Sequence, residues 1–147
     1  LTVDERGTVL AGRGRPSAET ALHLQIYALR PEAGAVLHTH SPAQTVASRL
    51  YAEAGALRFS GYELLEGFAG IGTHETELEL PVVPNSQDMA EIARRIAPAL
   101  ARERCFGYLI AGHGLYAWGR DPEEAARHLE AFEFLIRCEL ELRRLSR

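Results

Sequence analysis

Short β-type runs alternate with helix-period segments along this whole chain, and that alternation confines it to a layered α/β domain. Residues 1–10 carry β-friendly positions on either side of a turn signal at Glu5–Gly7, which predicts a hairpin. After the loop Gly12–Ser17 (GRGRPS), Leu22, Ile26 and Leu29 recur at helical spacing, so a helix is expected over 18–29 with Ser17 as its N-cap. A run AVLHTH follows, then a helix opened by Ser41-Pro42 and closed at Gly55. ALRFS predicts another strand, 61–72 a short helix among glycine-rich loops, and LELPVV a further strand. A helix is expected over 85–104, with Pro98 placed to bend it. The apolar runs either side of Gly112-His113-Gly114 predict a tight strand–turn–strand, and the stripe Ala125, Leu129, Phe132, Ile136, Leu140 an amphipathic C-terminal helix.

At 147 residues the chain fits one domain, 1–147, with enough length to bury a core. It opens at Leu1, inside a strand pattern and without an initiator Met, which predicts that an N-terminal segment lies outside this sequence. All 16 basic residues are Arg, a bias that acts on every position and so reflects composition or heat adaptation. The net charge of −4 and the scattered arginines speak against a nucleic-acid partner. No apolar run reaches membrane-spanning length and no signal-peptide pattern is present, so neither insertion nor export is expected. Cys105 and Cys138 are far apart, lack metal-ligand spacing and form no disulfide framework, which suits buried free thiols in a reducing cytoplasm.

The sharpest chemical signal is His38-Thr39-His40. Residues two apart on a strand share a face, so both imidazoles project together, an arrangement suited to a divalent transition metal and above all Zn²⁺. Two polar residues at a solvated strand end would have the same spacing. His113 sits between two glycines, where small neighbours let an ion and a substrate approach the backbone. Three histidines with an open fourth position match a catalytic zinc, since a structural site is closed by four protein ligands. His23 and His128, inside helices, fit ordinary packed or surface roles, and His74 in GTHETE is a candidate neighbour of the site. Among the carboxylates, Glu19 starts a helix, beside the positive end of its dipole, and Glu63 lies in the glycine-flanked SGYELLEG; a solvated surface role is the ordinary alternative for both.

Taken together, RPSAETALHLQIYALRPEAGAVLHTHS, GYELLEGFAGIGTHET, LPVVPNSQDM, GYLIAGHGLYAWG and ARHLEAFEFLIRCELEL resemble the class II aldolase family over essentially the whole chain. HTHS, NSQDM and GHGLYAWG, in that order, look most like the branch of that family that dehydrates 5-methylthioribulose 1-phosphate. The resemblance implies a layered fold with a central, mostly antiparallel sheet flanked by helices on both faces. It implies one Zn²⁺ per subunit on His38, His40 and His113, with the catalytic glutamate of those dehydratases at Glu63 and the acid–base glutamate of the related aldolases at Glu19. Ser17 falls where the aldolases use a serine loop for the substrate phosphate.

The reaction so implied is a hydro-lyase step of methionine salvage: 5-methylthioribulose 1-phosphate loses water to give 2,3-diketo-5-methylthiopentyl 1-phosphate, with zinc as Lewis acid at the C2 oxygen. A cytoplasmic homo-oligomer, a tetramer by resemblance, acting on a small sugar phosphate is the expected context. Glu66 departs from the Lys of many of these dehydratases and sets two like charges three residues apart with Glu63. Two other readings are an aldolase or epimerase of another sugar phosphate, and a non-catalytic scaffold like the adducin head.

Overall fold

The computed structural model describes residues 1–146. Thr2–Val3 (β1) and Val9–Ala11 (β2) pair antiparallel as the expected hairpin, outside the main sheet. The main sheet has five strands: β3 (Ala35–Thr39), β4 (Ala56–Ser60), β5 (Glu77–Val83), β6 (Gly107–Ile110) and β7 (Leu115–Gly119). Their order is β3-β7-β6-β5-β4. Every pairing is antiparallel except β5 with β6, so the sheet is mostly antiparallel as expected. Strands β3, β5 and β6 therefore run one way and β4 and β7 the other, with β3 and β4 on opposite edges.

Four helices cover the sheet: α1 (Thr20–Leu29), α2 (Pro42–Leu50), α3 (Met89–Leu100) and α4 (Pro122–Leu145). The period-2 alternation of the strands sorts their side chains between two cores. Tyr108, Ile110, Tyr116 and Trp118 pack with Leu22 and Ile26 of α1 and with Ile92 and Ile96 of α3. On the other face Leu109, Leu115 and Ala117 pack with Ala47 of α2 and with Phe132, Leu135 and Ile136 of α4. Burying each such Leu, Ile or Phe contributes roughly 1.5–3 kcal/mol, so these faces fix which edge each helix covers.

The helix starts follow local chemistry. Ser41 accepts from Gln44 N with Pro42 just inside α2, and Asp121 accepts from Glu124 N with Pro122 just inside α4. Helix α1 departs from expectation: it begins at Thr20 with Glu19, not Ser17, at the N-cap position. The Ser17 side chain instead accepts from Glu19 N at 3.2 Å, an ST-turn that tightens the chain two residues before the helix. Helix α2 ends at Leu50, short of Gly55, and the segment expected as a short helix is a 3-10 turn, Glu63–Gly67. Pro98 lies in the last turn of α3, which ends two residues later. Among the described residues no helix is long and apolar enough to cross a membrane.

Candidate metal centre

His38 lies near the end of β3, directly opposite Tyr116 of β7, and His40 lies just beyond the strand. His113 sits in the turn joining β6 to β7. Because β3 pairs with β7, the end of one strand and the start of the other lie side by side, and that pairing carries His113 to His38 and His40. The three rings are mutual neighbours, with centroids 4.6–5.0 Å apart. Glu19, from the start of α1, completes the group: its Oε1 lies 3.0 Å from His113 Nε2 and 3.6 Å from His38 Nε2. One ligand atom from each of Glu19, His38, His40 and His113 falls within 4.8 Å of every other.

Several contacts hold this arrangement, and most lie far apart in sequence. His38 Nδ1 donates to Leu115 O at 2.9 Å, which fixes the tautomer that leaves the Nε2 lone pair facing the cluster. The His113 turn needs Gly112 at φ +68°, and Gly112 N donates to Ser48 Oγ while Thr45 Oγ1 donates to His113 O. Helix α2 thus clamps the turn. Gly114 is required by space: a Cβ there would lie 2.3 Å from Thr39 O and 2.6 Å from His40 Cδ2. Gln44, buried, donates to Thr39 Oγ1 and to Glu133, which also accepts from Ser41 Oγ, so α4 anchors the end of β3. Ser17 Oγ reaches Glu19 Oε2 at 3.4 Å. Thr45, Ser48, Gln44 and Glu133 carry no local motif, and nothing in the sequence singles them out.

The electrostatics favour a neutral, ligand-ready His38. Burial holds its pKa below the usual histidine value; the Leu115 carbonyl and Glu19 pull it back up, and His40 and His113 push it down. Three imidazoles and a carboxylate around one point are the donor set of a divalent transition metal, and His40 is exposed, so the centre opens to solvent on one side. A groove of about 700 Å³ between α2 and α4, lined by Pro42, Ala43, Phe134 and Leu140 among others, is mainly apolar and offers no comparable convergence.

Glu63 is elsewhere. It opens the 3-10 turn after β4, and β4 runs opposite to β3 on the far edge, so Glu63 projects from the other end of the sheet. Its carboxylate is mostly exposed and lies 3.3 Å from His74 Nδ1, and Glu66 joins the same group. His74 is therefore near Glu63 and away from the three histidines. His128 is buried against Phe68 and Phe106, and His23 meets the edge of Tyr116. Cys105 is a buried free thiol whose pKa burial pushes up to about 11, and Cys138 is half-buried and free.

The comparisons with known proteins agree with this architecture. Residues 1–140 match the family described as class II aldolase and adducin N-terminal domain. The methylthioribulose-1-phosphate dehydratase of Stenotrophomonas maltophilia (strain R551-3) is 57% identical over 145 residues, 99% of this chain and 68% of the relative. The enzyme of the same name from Xanthomonas campestris pv. campestris (strain 8004) is 57% identical, covering 99% of this chain and 67% of the relative. Among solved structures, YgbL of Escherichia coli superposes with a TM-score of 0.76 at 26% identity over 95% of this chain. The chain spans 63% of that structure's length. L-Fuculose-1-phosphate aldolase from Thermus thermophilus shares the fold, with a TM-score of 0.71 at 24% identity over 99% of this chain and 70% of its own.

Proposed function

The chain belongs to the class II aldolase and adducin N-terminal domain family, and from that membership we propose how it works: it dehydrates 5-methylthioribulose 1-phosphate, with His38, His40 and His113 holding one Zn²⁺. The observation that carries the metal reading is the convergence of three imidazoles and the Glu19 carboxylate on one point. The substrate reading rests on relatives more than 50% identical over nearly the whole chain, all named for this dehydration, a hydro-lyase step of methionine salvage. Its setting is the cytoplasm and its form a homotetramer.

Held by His38, His40 and His113, a zinc ion would supply Lewis-acid stabilisation of the negative charge that develops on the substrate's C2 oxygen. The remaining work falls to side chains. A base removes the C3 proton, the C4 hydroxyl leaves as water after taking up a proton, and the resulting enol becomes the 2,3-diketone. Glu19 is the carboxylate that the same chain presents at the centre, held there by the Ser17 turn, and it shares this proton transfer. Ser17, at the mouth of the exposed Gly12–Ser17 loop, takes the substrate phosphate. Glu63 reaches the chemistry only from a neighbouring copy, because its own sheet end faces away from its own histidines. Its exposure and its distance from the local site support that role in trans.

The experiment is a mixing assay. Glu63→Gln and His113→Ala are each expected to lose turnover by roughly 10²-fold or more, the first keeping its zinc and the second losing it. Co-assembled, the two regain a share of activity, because one subunit supplies an intact metal centre and its neighbour an intact glutamate. Full activity in Glu63→Gln alone would remove Glu63 from the mechanism, and no regain on mixing would put both groups in one chain. Assaying ketose 1-phosphate cleavage on the same samples separates a dehydratase from an aldolase.

A further inference from the structure

Tyr108 and Tyr116 are fully buried, and neither hydroxyl has a hydrogen-bond partner. The contacts that run from these residues to His38 are made by their rings. The strand register sets those rings in a row: His38 of β3 faces Tyr116 of β7, and Tyr116 faces Tyr108 of β6. All three stand on the sheet face covered by α1 and α3. Tyr116 lies nearly flat on the His38 imidazole, with centroids 4.0 Å apart and planes 19° apart. Tyr108 lies flat on the far side of Tyr116, at 4.9 Å and 7°. From α1, the His23 ring meets Tyr116 edge-on at 5.3 Å.

One hydrogen bond to the backbone does not fix an imidazole. The bond from His38 Nδ1 to Leu115 O sets the tautomer and one direction. The 2.8 Å contact of Nε2 with the Nε2 of the exposed His40 is one that a bound metal would replace, so the ring can still rock about the Leu115 axis. Rocking by a few tens of degrees moves Nε2 away from the shared point, and a zinc–nitrogen bond tolerates only about 0.2 Å. A flat ring on the imidazole face opposes that motion, and a second flat ring stops the first from tilting. Gly114 closes the remaining side, where a Cβ would lie 3.2 Å from His38 Cε1.

We propose that Tyr116, by stacking on His38, holds that imidazole in the plane the metal requires and is a positioning residue of the centre. Tyr108 backs it from behind. The assignment rests on the zinc reading above for its catalytic meaning, but not for its geometry. The ring acts and the hydroxyl does not, so Tyr116→Phe retains the function while an aliphatic residue loses it.

The test compares zinc affinity by chelator competition in the parent, Tyr116→Phe, Tyr116→Leu, Tyr116→Met and Tyr108→Leu, with thermal unfolding of each metal-free protein as the control for folding. Leu and Met are both used so that a folded variant without a planar ring is in hand. Tyr116→Phe should stay within about twofold of the parent, while Tyr116→Leu and Tyr116→Met fall by roughly 10–100-fold, the usual cost of losing a group that orients a ligand. Tyr108→Leu, an equal cavity one strand further from His38, should lower unfolding temperature as much yet lose affinity by less than about threefold. Equal affinity losses in Tyr116→Leu and Tyr108→Leu would show that affinity merely tracks stability, and would overturn the proposal. So would a loss in Tyr116→Phe as large as in Tyr116→Leu. NMR relaxation of the His38 ring in the metal-free proteins at pH 8 supplies a readout independent of zinc: every variant keeps the Nδ1–H tautomer set by Leu115 O, while the ring is well ordered in the parent and Tyr116→Phe and markedly more mobile in Tyr116→Leu. If the parent binds no zinc but that contrast holds, the metal reading fails while the positioning stands. If zinc binds equally to all five, the positioning fails while the metal reading stands.

Discussion

His38 and His128 receive nearly the same treatment from the fold and do different things. Each is largely buried, each gives its Nδ1 proton to a backbone carbonyl of β7, and each lies stacked on an aromatic ring. His38 bonds Leu115 O at one end of the strand, and His128 bonds Trp118 O near the other, at 2.7 Å. Burial lowers the pKa of both. The difference lies in the second nitrogen. His128 Nε2 accepts from Ala69 N at 3.2 Å, so the ring is fully used and pins the Gly67–Ile71 loop to α4. His38 Nε2 lies 2.8 Å from the Nε2 of the exposed His40 and 3.6 Å from Glu19 Oε1, so its partners are side chains of the cluster and not a fixed backbone group. A histidine becomes a ligand where the fold orients it through one nitrogen and leaves the other to side chains that a metal would replace.

The comparison breaks most visibly in metal binding. His38→Ala should reduce zinc from about one per chain to a trace and turnover by at least roughly 10³-fold, while His128→Ala keeps its zinc; elemental analysis beside the assay decides it. Retained zinc in His38→Ala would mean that the other three groups suffice. Next in size is stability. His128→Ala leaves a cavity, an unpaired Ala69 N–H and an unpaired Trp118 carbonyl, and should cost about 3–5 kcal/mol in denaturant unfolding of the metal-free protein. His38→Ala, at the open end of the site, should cost less than half of that.

The smallest effect sharpens the contrast through pH. Burial is the first cause of the lowered pKa of His128; the Trp118 carbonyl and Glu124 oppose it, and Arg127 and Arg120 reinforce it. The folded chain therefore keeps His128 neutral where the unfolded chain takes up a proton. Its contribution to stability is intact above the unfolded value of about 6.5 and is lost as pH falls from there toward the folded pKa. The loss is at most about 1.4 kcal/mol per pH unit. His128→Asn should flatten the acid limb of the metal-free protein's stability profile below about pH 6.5, without abolishing it, because His23 and His38 are also held down by burial. An unchanged limb would show that His128 titrates alike in both states.

Much of the fold is legible locally. The strands, the Ser-Pro start of α2 and the strand–turn–strand around His113 follow from period, caps and glycine placement, each decided within a few residues. The start of α1 is not, because Ser17 can cap a helix or close an ST-turn, and the choice depends on where Glu19 is drawn. Of the candidate site residues, the structure gathers His38, His40, His113 and Glu19, keeps Ser17 beside Glu19, and sends Glu63 away. Nothing in SGYELLEG tells which end of a sheet it will occupy.

The sequence by itself determined that His38 and His40 share a face, because strand side chains alternate with period two, and that His113 sits in a turn, because glycines flank it. Only the tertiary structure decided that these belong together. That required β3 to pair with β7, a choice made by hydrogen bonds and burial between segments about eighty residues apart in the chain. The same strand order put Glu63 at the opposite end, laid Tyr116 on His38, and gave His128 a backbone partner at both nitrogens but His38 at only one. Those are non-local pairings, and no window of sequence contains both partners.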